Sequence, residues 1–331
     1  MKALVYTAPE GLEYRDMQDP APQTGEALIR VDSVGICGSD MHAYLGHDDR
    51  RPAPLVLGHE AAGTVLSGAM SGKRVTVNPL VTCGTCPACT SGRDNLCSTR
   101  QIISMPPREG AFAALLAMPE RNLVVMPDHI TTDQAALAEP IACGWHAVRL
   151  GRAALGEGTH RALVLGGGAI GLGAALSLAA QGITDITMIE PHPARRAYLS
   201  MQCDQNVLAP DGLGPADQFD LVVDGVGFDA TRAQASAHVR PGGVIVHIGL
   251  GSATGGLDIR RITLQEITFI GTYTYTAQDF RDTAQAMFEG RMGALDWTEK
   301  RPLSDGAAAF ADIRNGRTTA PKTILVPEAA K

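Results

Sequence analysis

The stretch Leu163–Gly173, "LVLGGGAIGLG", ends an apolar run in three consecutive glycines and resumes with small, helix-compatible residues. Gly166, Gly168 and Gly171 stand in G-x-G-x-x-G register at this passage from strand to helix. Glycines permit the tight turn and close backbone approach, and the helix start that follows, with Ala169 and Ile170 in its first turn, offers N–H groups to a pyrophosphate. Nineteen residues past Gly171 the next strand, "DITMIE", ends in Glu190. A carboxylate there accepts the ribose hydroxyls of adenosine and repels a 2′-phosphate, so the pattern predicts NAD. Arg195 and Arg196 in "EPHPARR" are the opposing signal, since either offers a cation to that phosphate and leaves NADP open.

Working outward, the runs "RALVLG", "DITMIE", "QNVLA", "FDLVVDGVG", "GVIVHIG" and "ITFIGTY" alternate with helical segments. Their apolar residues do not alternate with polar ones, which fits strands buried on both faces of a parallel sheet. Residues 137–275 are therefore predicted to form an α/β, doubly wound domain. Residues 1–136 read differently, as short strands broken by Gly and Pro, among them "ALIRVDSVGI", "GHEAAGTVL" and "KRVTVNP". After Tyr275 come a helix over Asp279–Glu289 and a closing strand, "PKTILVP".

Composition narrows the partners. A formal charge of -7 without clusters of Lys and Arg argues against nucleic acid and suits a small neutral or cationic molecule. Residues 162–180 carry no charge, yet the glycines in their midst and the lack of flanking aromatic or basic anchors argue against a membrane span. The start, "MKALVYTAPEGLEY", has no apolar core of a signal peptide, so a cytoplasmic protein with reduced thiols is expected.

Four of the seven cysteines, Cys83, Cys86, Cys89 and Cys97, lie within "CGTCPACTSGRDNLC". Four thiolates at that density close a tetrahedral shell around zinc and leave no open position, the mark of a structural site. Cys37 in "GICGSDMHAY", His59 and Glu60 in "LGHEAAGTV", and Glu139 in "ALAEPIACGWHA" form a second, mixed set. Thiolate, imidazole and carboxylate from separate segments suit a catalytic zinc with room for water or substrate.

Taken in order, "CGSDMH", "GHEAAGTV", the four-cysteine segment, "AEPIACGWHA" and "GGGAIG" resemble the zinc-dependent medium-chain dehydrogenases, most of all their sorbitol or polyol branch. The resemblance runs along essentially the whole chain. It implies a GroES-like, mostly-β catalytic domain from residues 1–136 and 276–331, with a structural-zinc lobe at 80–100. It further implies a Rossmann domain over 137–275, a cleft at their junction, and a homo-oligomer, dimer or tetramer. By the same resemblance Cys37 and His59 hold the catalytic zinc, with Glu60 or Glu139 as the third ligand. Ser39 matches the hydroxyl that takes the alcohol proton, His42 the imidazole that passes it on, and Cys143 a position lining the nicotinamide pocket.

The expected activity is hydride transfer between NAD and a secondary alcohol, polyol or sugar-derived. A threonine-type amino alcohol or a primary alcohol is the alternative substrate, and a silent NAD-binding redox sensor the non-enzymatic one. The family's polyol-gripping Arg is absent, Thr274 of "GTYTYT" standing in its place, which puts sorbitol itself in doubt. The charged loop "LGHDDRRPAP", with His47, Asp48, Arg50 and Arg51, reads as solvated. Phe112, Tyr273 and Tyr275 are candidate pocket walls.

Overall fold

A computed structural model of the chain describes residues 1–158 and 160–328. The last three residues of the segment expected at 276–331 lie outside the described residues. The chain divides into two compact units, one of Pro140–Tyr275 with Gly290–Trp297, the other of Met1–Glu139, Thr276–Glu289 and Thr298–Lys331.

In the first of these, six strands form an all-parallel sheet: Arg161–Leu165, Asp185–Ile189, Val207–Leu208, Phe219–Asp224, Val239–His247 and Thr268–Gly271. Numbered one to six along the chain, they lie in the order 3-2-1-4-5-6. That is the doubly wound dinucleotide-binding order, whose strand-order reversal beside the first strand opens a crevice for ligand. Ala162, Leu163, Val164 and Leu165 are fully buried, as a strand covered on both faces requires. The helix Ala138–Leu155 packs on the helix Ala169–Ala180 at backbone distance, for a Cβ on Gly144 would stand 2.6 Å from the Ala174 nitrogen. Small residues in "ACGWHA" are what let the two helices touch.

The other unit is mostly β. Its sheet runs Leu123–Val125, Arg74–Val77, Glu60–Val65, Glu26–Gly35, Lys322–Val326 and Thr298–Pro302, with Leu115–Pro119 also on Glu26–Gly35. The strand Glu26–Gly35 is central in a consequential way: Gly35 pairs with Glu60 on one side and Ile324 on the other. Residues near 36, 60 and 322 therefore meet at one end of the sheet. A smaller sheet of Gly11–Asp16, Lys2–Ala8 and Leu55–Val56 closes the core. Phe112 belongs to that core, edge-on to Phe310 at 5.8 Å, and Tyr275 is 1% exposed.

The segment Gly290–Trp297 goes with the parallel-sheet unit rather than with the β-rich residues on either side of it. Its Arg291 lies over the Trp145 ring, 5.9 Å from the centroid, while Met292, Leu295 and Trp297 are buried. Apolar burial thus assigns to this unit a segment that the resemblance placed in the catalytic domain. Among the described residues no helix is long and apolar enough to cross a membrane, and the uncharged stretch yields a helix of only 12 residues.

A Cβ on Gly171 would collide with the Gly166 carbonyl oxygen, which is backbone and has no rotamer to escape into. Gly171→Ala is expected to destabilise by about 1–3 kcal/mol through overpacking, although Ala is the better helix former. Thermal melting checks this; an unchanged or raised Tm would show that the turn has room.

Candidate functional site

The glycine loop takes the shape its spacing implies. Gly166 is left-handed at φ 97, and Gly168 caps the helix Ala169–Ala180 without any side-chain hydrogen bond. As a glycine, Gly168 offers the first-turn N–H groups no side-chain cap of its own, the arrangement a phosphate uses. Glu190 is buried at the end of its strand, where Oε2 accepts from Gly167 N at 2.9 Å and Oε1 from His192 N at 2.8 Å. Each oxygen retains acceptor capacity for a ribose hydroxyl. Gly167, unremarked in the sequence pattern, is thus the donor that orients the acid, and a Cβ there would crowd Glu190 and Leu199. Arg196 spends Nη1 on the carbonyls of Glu190 and Pro191, at 2.9 and 2.7 Å, and Arg195 donates its backbone N–H to His192 Nδ1 at the helix start.

Cys83, Cys86, Cys89 and Cys97 come together with all four sulfurs within 4.8 Å of one another, and all are free thiols. Sulfur–sulfur separations of 3.5, 3.6 and 3.8 Å match the edge of about 3.8 Å required by a tetrahedron with Zn–S of about 2.3 Å. Backbone N–H groups of Thr85 and Cys86 point at Cys83 Sγ and lower its pKa to about 5. Cys97 is lowered by the N–H of Cys83, whereas Cys89 is pushed up to about 12 by desolvation and the neighbouring Cys86 thiol. Crowded thiols hold protons that a divalent cation displaces, so the donor set fits zinc.

Cys37, His59 and Glu60 form the second group, their ligand atoms also within 4.8 Å of one another. Cys37 is the N-cap of the helix Gly38–Tyr44, and His59 and Glu60 lie at the start of the strand Glu60–Val65. Glu60 is fully buried. Its Oε1 accepts from Lys322 Nζ at 2.6 Å, while Oε2 has no hydrogen-bond partner among the described residues. A buried carboxylate oxygen without a donor is costly, and a cation held with Cys37 and His59 would satisfy it. The trio therefore fits a zinc ion. Glu139, in the first turn of Ala138–Leu155, stands outside this group.

Three supporting residues were not legible in the motifs. Asp40, fully buried, accepts from Cys37 N and Gly58 N at 3.0 and 3.2 Å and lies 3.4 Å from His59 Nδ1. That contact orients the imidazole and leaves Nε2 for the ligand set, the carboxylate–histidine–metal arrangement. Burial alone would lower the His59 pKa, but Asp40 and then Cys37 hold it well above 6.5; metal binding would expel that proton. Ser104 Oγ lies 3.5 Å from the same Nδ1. Lys322, on the last strand, also donates to the Ile36 carbonyl at 2.9 Å. Burial opposes its charge, yet Glu60, with Cys37 and Glu139, raises its pKa above 10.5.

Ser39 is half-buried and His42 exposed on the helix Gly38–Tyr44; Cys143 is half-buried. Thr274 is left-handed at φ 46, unusual for a β-branched residue, and its hydroxyl is buried without a partner among the described residues. Arg51, expected in solvent, is buried instead.

Residues 23–128 match the alcohol dehydrogenase GroES-like domain family and residues 169–289 the zinc-binding dehydrogenase family. L-galactonate-5-dehydrogenase of Escherichia coli (strain K12) is 32% identical, with 96% of each chain covered. Sorbitol dehydrogenase of Bacillus subtilis (strain 168) is 33% identical over 83% of this chain and 82% of its own. Among solved structures, an alcohol dehydrogenase from Thermus sp. ATN1 superposes with a TM-score of 0.89 at 25% identity, covering 99% of this chain and all of that one, at 100%.

Two zinc ions per chain are expected by metal analysis. Cys86→Ser should release one and lower the Tm, because an opened four-sulfur shell loses its folding contribution. One zinc in the unaltered protein, or Cys86→Ser with full metal, would contradict the assignment.

Proposed function

This chain belongs to the zinc-dependent medium-chain alcohol and polyol dehydrogenases, and we propose that it oxidises a secondary alcohol of a polyol or sugar-derived molecule with NAD. The observation that carries the reading is the trio Cys37, His59 and Glu60, buried around an unsatisfied carboxylate oxygen, in a chain that also holds the glycine loop and Glu190. Zinc at the trio supplies Lewis acidity toward an alcohol oxygen, and NAD at the glycine loop supplies the hydride acceptor.

The chain's own residues do the rest. Cys37 and His59 hold the metal, with Glu60 in our reading the carboxylate of the set. Asp40 fixes the His59 ring, so the imidazole would present its other nitrogen to the metal in one direction. Ser39 takes the alcohol proton and the exposed His42 delivers it to water. Glu190, braced by Gly167 and His192, accepts the ribose hydroxyls and disfavours a 2′-phosphate. The commitment of Arg196 Nη1 to two carbonyls supports NAD, since that nitrogen is already engaged.

A homo-oligomer and a cytoplasmic setting complete the proposal. Thr268–Gly271 is an edge strand with Phe269 exposed, and exposed Ile259 and Leu264 lie on the preceding helix, an apolar edge that a second copy would cover. Free thiols in the four-cysteine lobe suit a reducing compartment.

A panel of polyols, sugar acids, amino alcohols and primary alcohols, followed by NADH absorbance, tests the reaction; no turnover on any would refute it. His59→Ala is expected to lose one zinc and turnover by orders of magnitude while keeping NADH affinity. Ser39→Ala should keep both metals and slow turnover about a hundredfold. Near-normal turnover with both zincs in His59→Ala would move the active site elsewhere.

Glu190→Ala should narrow the preference for NAD over NADP, measured as the ratio of kcat/KM values, because the repulsion of a 2′-phosphate is gone. A wild type that already prefers NADP would transfer the role to Arg195 and Arg196.

A further inference from the structure

Arg51 lies in the charged run "HDDRR", yet its side chain is 2% exposed. A guanidinium removed from water needs acceptors for its donors. Nε donates to the Ser104 carbonyl at 3.0 Å, and Nη1 donates to the Ser39 carbonyl at 3.1 Å and to Asp48 Oδ2 at 2.9 Å. Asp48 is held in turn by Arg50 Nε at 2.8 Å, so the loop is braced against the site rather than loose in solvent.

The two carbonyls are not arbitrary. Ser39 follows Cys37 by two residues, and the Ser104 hydroxyl faces His59 Nδ1 at 3.5 Å. Ser104 is fully buried and left-handed at φ 67, a conformation that a non-glycine residue keeps when its surroundings impose it. One buried cation thus grips the backbone of two segments that carry residues beside the trio, 12 residues from one grip and 53 from the other. Only a planar fork reaches both; the single nitrogen of lysine cannot reproduce two fixed directions.

We propose that Arg51 is a positioning residue, which holds the Ser39 and Ser104 segments in register so that the Ser39 hydroxyl and the His59 ring keep their places around the metal. The proposal rests on the dehydrogenase reading for its kinetic consequence, though not for its geometry.

The test uses the zinc- and NAD-loaded full chain. Arg51→Ala and Arg51→Lys should retain two zincs and normal NADH affinity while kcat falls, by about a hundredfold in Arg51→Ala, the scale of a slightly misplaced reacting group. The solvent deuterium isotope effect on kcat should rise as proton transfer becomes limiting. Added guanidinium should restore part of the activity of Arg51→Ala and none of that of Ser39→Ala. With cobalt placed at the trio, the visible bands should shift in Arg51→Ala, because His59 loses its support.

Unchanged kcat and isotope effect, or a loss that merely tracks zinc loss, would overturn the proposal. Should Arg51→Ala fail to fold, Asp48→Asn loosens the same anchor and should give a smaller change of the same kind; wild-type behaviour there overturns it equally. If the unaltered protein oxidises no alcohol, the dehydrogenase reading has failed, and unmoved cobalt bands alone would then decide against Arg51.

Discussion

The buried pair between Lys322 and Glu60 is the contact on which the β-rich unit turns. Neither charge is tolerable alone in that interior, so each requires the other. Glu60 lies beside the candidate metal ligands near the start of the chain, and Lys322 is delivered by its last strand. The strand Glu26–Gly35 makes the meeting possible, pairing through Gly35 with both partners' strands. A side chain on Gly35 would occupy the place of Glu60 Oε2. The strand Lys322–Val326, held by its pairing and by buried Ile324 and Leu325, thereby brings a cation to this carboxylate.

What the sequence displayed and what it hid divide along range. The parallel sheet and its glycine turn were readable because strand, turn and helix succeed one another within a few residues, and the acid at Glu190 arrives at a fixed interval. The two sets of metal-type residues were readable for the same reason: donor chemistry announces itself by residue type. Lys322, Asp40 and Ser104 were not, since a lysine on a closing strand or a serine in a loop says nothing until packing sets it against residue 60 or 59. Arg51 misled because runs of charge are usually solvated, and only the fold shows that Arg51 turns inward and takes the Asp48 carboxylate with it. Gly290–Trp297 misled in the opposite sense: its apolar residues were visible, their destination was not.

The two metal-type sites differ in how they manage charge, and the difference separates their roles. The cysteine lobe is exposed on one side, has Arg100 donating to the Cys97 carbonyl at 2.9 Å rather than to a sulfur, and tempers its thiolates with backbone N–H groups. A closed shell of four sulfurs there is sufficient to itself and stabilises a loop. The Cys37, His59 and Glu60 trio sits in the interior and is surrounded by further ionisable groups, each with a counterpart: Lys322 beside Glu60, Arg51 beside Asp48, His59 beside Asp40.

That pairing bears on reactivity. With Lys322 holding one oxygen of Glu60 and Asp40 holding one nitrogen of His59, each ligand has a single remaining atom to offer and a fixed direction in which to offer it. A cation held there would meet side chains already oriented, so little reorganisation would accompany its binding, which is the condition under which preorganised electrostatics act most strongly. In a softer arrangement the ligands could follow the substrate and the Lewis acid would lose its bias. The buried lysine and aspartate thus convert a set of donors, common in any sequence rich in Cys and His, into a site with one preferred geometry.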